Sequence, residues 1–170
     1  MNQEAFFELM DQSTAKSLQL AHSLTPEQLA YSKPGRWSAM QILEHICMAE
    51  TSIGNIMLRP SDQISEQVEL MGIEKVHKMV VEERSKKVNA PERMIPKGEI
   101  TTVAEFEKIF TAQRNALKQD ILNGTKIIDN RVFKHPALGE MTITDWMYFS
   151  LKHTERHLEQ IRENINQMEG

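Results

Sequence analysis

Cys47 is the chain's single cysteine, so no intrachain disulfide can form and nothing requires an oxidising compartment. No apolar run approaches the roughly 20 residues needed to cross a bilayer. The opening "MNQEAFFELMDQ" lacks the basic start and long apolar stretch of a signal peptide. Neither sign of charge dominates: a formal net charge of −4 gives no electrostatic reason to expect nucleic acid, which is bound through clustered Lys and Arg. The densest basic group, Arg84 with Lys86-Lys87, directly follows Glu82 and Glu83 and reads as a solvated helix end. There is no repeat, no low-complexity tract and no linker. The expectation is a cytoplasmic protein that binds neither membrane nor nucleic acid. Residues 1–170 would form a single domain with a sizeable core.

Glycine is scarce too, at seven of 170 residues, and the breakers gather between long stretches of helical period. Residues 3–22 carry Phe6, Met10, Leu18 and Leu20-Ala21 at helical spacing. "TPEQLA" from Thr25 offers an N-cap, a proline at the first helical position and one short turn. After the break at "YSKPGRW", Ser38 and Gln41 make a capping box for a helix running to about Leu58. A helix over 72–88 and the proline-punctuated loop "NAPERMIPKGEI" follow. Thr102 with Glu105 opens the next long helix, which "NGTK" ends. The loop "RVFKHPALGE" leads to Thr142 and Asp145, the caps of a last helix reaching about Met168. Long helices with short strands at most predict an all-α fold, a helix bundle.

"LKHTERHLEQI", residues 151–161, raises the question of function. At about 100° per residue the last helix places Trp146, Ser150, His153, His157 and Ile161 on one face. Lys152, Glu155, Arg156, Glu159 and Arg162 lie on the other. Two inward imidazoles on adjacent turns either hydrogen-bond their neighbours or share a cation. His45, on the inner face of the second long helix, is the natural third ligand. His22 suits the C-terminal dipole of the first helix. His77 lies between lysines and is expected at the surface, and His135 could reach the site only from above. The zinc-protease signatures fail, because Thr154 and Arg156 stand where glutamates are needed. A di-iron carboxylate site fails at Ser150 and Thr154 for the same reason. Cys47 falls nearly opposite His45 around the helix and reads as a small buried hydrophobe. Trp37 and Trp146 read as packing anchors, and Arg114 as an ordinary surface arginine. Glu44 and Glu50 flank the inner stripe with their facing undecided. Gln160 sits at its margin, where it could orient an imidazole or face solvent.

"RWSAMQILEHICMAE" and "FKHPALGEMTITDWMYFSLKHTERHLEQI", in this order and at this separation, resemble the paired signature segments of the DinB-like superfamily, which includes bacillithiol S-transferase-like proteins. The resemblance implies a four-helix bundle of DinB/YfiT type, up-down-down-up, with an extra short helix and long loops between helices 2 and 3. It also implies a homodimer. The family's metal triad falls on His45, His153 and His157, and the ion implied is divalent, zinc or nickel foremost. Relatives include enzymes that join a low-molecular-weight thiol to an electrophile, thiol-dependent isomerases and metal-dependent hydrolases. The leading expectation is therefore a three-histidine centre that activates a small thiol cosubstrate against a small-molecule electrophile. The alternatives are hydrolysis by an activated water, and a non-enzymatic, metal-stabilised, stress-related binding protein.

Overall fold

The computed structural model describes residues 2–85 and 89–170. Lys86-Lys87, and the Val88 end of the expected 72–88 helix, lie outside the described residues.

Polar side chains set most of the helix starts. Asn2 accepts the amide of Ala5 at 2.7 Å and opens α1 (Gln3–Ser23). Thr25 and Gln28 close a reciprocal capping box at the short α2 (Pro26–Ala30). Ser38 with Gln41 does the same for α3 (Ala39–Gly54), Thr102 with Glu105 for α5 (Val103–Leu122), and Thr142 with Asp145 for α6 (Ile143–Glu169). Each box satisfies N–H groups that the first helical turn leaves unpaired. The second long helix reaches Leu58 as expected, but its last turn, Asn55–Leu58, tightens to 3-10 geometry.

Cross-helix pairs define the bundle. α1 pairs with α6, α6 with α3, α3 with α5, and α5 with α1, which closes a ring of four. On α1 and α5, Asp11 meets Lys118 and His22 meets Glu107, so these two run antiparallel. On α3 and α5, Cys47 meets Gln113 and Gly54 approaches Leu117, so they run parallel. On α3 and α6, Trp37 meets Asn164 and Glu50 meets Thr154, so they run antiparallel. In chain order the four helices are up, down, down, up.

The 72–88 segment departs from a simple helix. α4 covers only Ile73–His77 and widens into a π turn, Lys78–Glu82. Arg156 on α6 braces this stretch: its guanidinium donates to the carbonyls of Val80 at 3.1 Å and Arg84 at 3.1 Å. Arg156 therefore caps this segment, whereas its position on the polar face predicts a solvent-facing side chain. Upstream, Gly72 has φ +79° and its amide donates to the buried carboxylate of Asp145 at 2.9 Å. Before α6 a hairpin pairs β1 (Val132–His135) with β2 (Gly139–Thr142), Val132 opposite Thr142.

The core has two apolar halves. One gathers Phe6, Met10, Ile53, Met57, Val76 and Met147; the other gathers Ile42, Leu43, Ile46, Phe106, Phe110 and Ile161. A polar layer joins the buried Arg114 and Thr154 to the partly buried Glu50. No helix among the described residues is long and apolar enough to cross a membrane.

Candidate metal centre

His45 on α3 and His153 and His157 on α6 converge across the bundle. One ring nitrogen from each lies within 4.8 Å of the others. The rings of His45 and His157 are 4.6 Å apart, those of His153 and His157 4.4 Å. The Nε2 atoms of His153 and His157 approach to 3.1 Å. Among the described residues this is the one group of metal-ligating side chains gathered so tightly.

Hydrogen bonds on the far side of two rings settle which nitrogen is offered to the centre. His45 Nδ1 lies 2.7 Å from the carbonyl oxygen of Met94, which can only accept, so this nitrogen carries the proton. His157 Nδ1 lies 2.8 Å from Gln160 Oε1 and donates to it. Both rings therefore turn an Nε2 lone pair inward, the arrangement that a metal-binding histidine needs. Gln160, one turn beyond His157, takes the orienting role, not the solvent-facing one.

His153 is held differently: its Nδ1 is buried with no hydrogen-bond partner. Burial lowers its pKa well below the ordinary imidazole value, and the neighbouring His157 and His45 add to the effect. Burial likewise lowers His45, and lowers His157 to about 3. At neutral pH all three rings are uncharged, so protons do not compete for the inward lone pairs. The donor set fits a divalent cation: His45 and His157 each turn an Nε2 lone pair inward, and the Nε2 of His153 lies 3.1 Å from that of His157.

Aromatic rings wall the site. Trp37 lies 4.8 Å from His45 and Phe149 5.5 Å from His153, centroid to centroid. Trp37 thus stands at the centre itself, where its position at a helix end suggests only a packing anchor. Trp146 is the anchor expected, with its indole N–H donating to Phe133.

The other histidines stay outside. His135 packs on Trp146 and Phe149, and its Nδ1 accepts the amides of Ala137 and Leu138 at 3.1 Å each, which ties the hairpin turn. His22 pairs with Glu107 at 2.5 Å. His77 is only one-third exposed, between Glu82 and Glu155, and is less superficial than its lysine neighbours suggest. Cys47 is buried, as expected, and burial pushes its thiol up to about 12.

Two readings change at the carboxylates. Arg114 is no surface arginine: it is 3% exposed and donates to Glu50 through Nε at 3.0 Å and Nη2 at 2.5 Å. It also donates to Met10 O, Thr14 Oγ1 and Ser13 Oγ and stacks over Phe110. Thr154, next to His153, donates to Glu50 Oε1 at 2.7 Å. Glu44 is buried as well, and its carboxylate accepts the amides of Lys97, Gly98 and Glu99. Nothing in the helical periodicity marks these partners, because three of them are backbone groups of a distant loop.

Comparison with known proteins gives the same architecture. The chain is 24% identical over 128 residues to the protein YuaE of Bacillus subtilis (strain 168), covering 75% of this chain and 76% of that one. The crystal structure of TT2238, a four-helix bundle protein, superposes with a TM-score of 0.59 at 15% identity, over 95% of this chain and 99% of that one. That likeness concerns the fold alone. The family model of the DinB superfamily matches residues 9–161, so the chain belongs to the DinB superfamily.

Proposed function

We propose that His45, His153 and His157 hold one divalent cation, zinc or nickel, and that the protein uses it to join a small thiol to an organic electrophile. When bound, such an ion lowers the pKa of a coordinated thiol and so supplies a thiolate at neutral pH. The residues of the chain do the rest. Met94 and Gln160 keep two imidazoles in the tautomer that faces the centre. Trp37 and Phe149 give the site apolar walls that suit an organic substrate.

The sulfur must come from outside, because Cys47 is buried with its thiol pushed up to about 12. One observation carries the choice of thiol transfer over hydrolysis. Hydrolysis is served by a side chain free to move a proton at the attacking water, and a carboxylate beside the centre would be one such group. The two carboxylates flanking His45 on α3 are both committed elsewhere, Glu44 to three loop amides and Glu50 to Arg114 and Thr154.

The test begins with elemental analysis of untagged wild type and His45→Ala. About one equivalent of zinc or nickel is expected in wild type, and little in the variant. Loaded protein is then assayed with low-molecular-weight thiols and 1-chloro-2,4-dinitrobenzene, following thioether formation and chloride release. A wild-type protein that cannot be loaded with any divalent ion would sink the proposal. Metal binding without any thiol-dependent turnover would leave a structural centre and favour a binding protein.

A further inference from the structure

Glu44 and His45 are consecutive residues of α3, and both grip one short segment. Glu44 is 3% exposed; its Oε1 accepts the amides of Lys97 at 3.0 Å and Glu99 at 3.2 Å, and its Oε2 accepts that of Gly98 at 3.0 Å. His45 Nδ1 donates to Met94 O at 2.7 Å, three residues before the first of those amides. Between the two grips lie Pro96, which has no N–H, and Ile95, which is 44% exposed. Apolar packing holds the segment only at its ends, through Met94 and Ile100; between them the carboxylate is the anchor. Gly98, at φ +79°, lets successive amides converge on one anion.

Each grip needs the other. A carboxylate buried this deeply is tolerated only while those amides solvate it, so Glu44 favours the docked segment. The docked segment in turn presents the Met94 carbonyl that fixes the His45 tautomer. We propose that Glu44 is a positioning residue for the metal centre: docking of residues 94–99 on its carboxylate and cation binding at His45, His153 and His157 form one linked equilibrium. This rests on the metal reading above. Linkage is reciprocal, so the cation must tighten the segment as much as the segment tightens the cation.

The experiment uses chelator-stripped, untagged full-length protein and zinc alone as the probe. Zinc affinity is measured by competition with a chromogenic chelator, amide exchange at Lys97, Gly98 and Glu99 by NMR, and the His45 tautomer by long-range proton–nitrogen correlation. In wild type, zinc slows exchange at those amides. Glu44→Gln keeps its helical circular dichroism, loses His45 Nδ1–H as the dominant tautomer, and binds zinc on the order of ten- to a hundredfold more weakly, the usual loss when a ligand's orienting partner goes.

Gly98→Ala strains the same segment from the loop side, and its added carbon meets no atom within 4 Å. It should weaken zinc in the same direction by less, and it decides the matter if Glu44→Gln does not fold. Wild-type affinity in a folded variant, or exchange indifferent to zinc, overturns the linkage and leaves the metal reading standing. A wild type that binds no zinc overturns both.

Discussion

Breaking the buried ion pair should cost more than any other single polar change in the bundle. In Glu50→Ala, Arg114 keeps Met10 O, Thr14 Oγ1 and Ser13 Oγ but loses both carboxylate bonds, and Thr154 loses its acceptor. Both charged side chains are nearly inaccessible, at 4% and 9%, so water cannot replace the missing oxygens. An uncompensated buried charge of this kind costs about 3–5 kcal/mol. For a chain of this length each kcal/mol moves Tm by roughly 2–4 °C, so the loss should be about 6–20 °C. The assay is urea unfolding followed by circular dichroism, on Glu50→Ala, on Arg114→Ala, and on the paired Glu50→Leu/Arg114→Met. The paired variant should recover to within about 1 kcal/mol of wild type or exceed it, since an apolar pair of similar volume escapes the desolvation cost. A single variant losing under about 1 kcal/mol, or a pair as unstable as the sum of its singles, would refute the assignment of a mutually dependent pair.

Acid should destabilise the metal-free protein early. The folded pKa values of His45, His153 and His157 lie below the unfolded one, so the unfolded chain binds more protons as pH falls. Stability is then full above about pH 6.5 and drops below it by about 1.4 kcal/mol per pH unit for each ring kept neutral. Urea midpoints at pH 7.5, 6.5 and 5.5 measure the slope, and His157→Leu should flatten it by one proton's worth. Gln160→Leu removes the acceptor on His157 Nδ1 and should weaken zinc binding by about ten- to a hundredfold without lowering helix content, read by chelator competition. Asp145→Ala should release the loop before α4, because its carboxylate accepts the amides of Leu70, Met71 and Gly72 as well as that of Thr142. Faster amide exchange at Leu70 and Gly72 is the readout, with a stability loss of about 2 kcal/mol or more for the lost cap and loop bonds.

Caps and periodicity made the four long helices legible, and the inward faces of α3 and α6 named the three histidines that converge. Both signals are local: a capping box spans four residues, and a face repeats every turn. What the sequence hid is non-local or points at backbone. Glu44 and Asp145 are acids whose partners are loop amides, which leave no side-chain pattern to find. Arg114 has an ordinary place on its helix, and only the meeting of α1, α3 and α5 shows that it is buried. Arg156 looked solvated because the π turn that it caps lies more than 70 residues upstream.

The polar layer bears on the metal centre through register. One turn of helix is about 5.4 Å, more than the 4.8 Å within which the three ligand nitrogens lie. A slip of α3 against α6 by a single turn would therefore take His45 out of reach of His153 and His157. Apolar stripes alone resist such a slip weakly, because a stripe that repeats every turn meets a similar stripe one turn on. Glu50 and Thr154 do not repeat: the threonine hydroxyl donates to the carboxylate across these two helices, within five residues of His45 and one of His153. Displacing this contact by a turn would take the Thr154 hydroxyl away from the carboxylate and leave a buried polar contact unmade. The paired Glu50→Leu/Arg114→Met variant should accordingly keep its stability and bind zinc less tightly than wild type. Undiminished zinc affinity in that variant would show that packing alone sets the register.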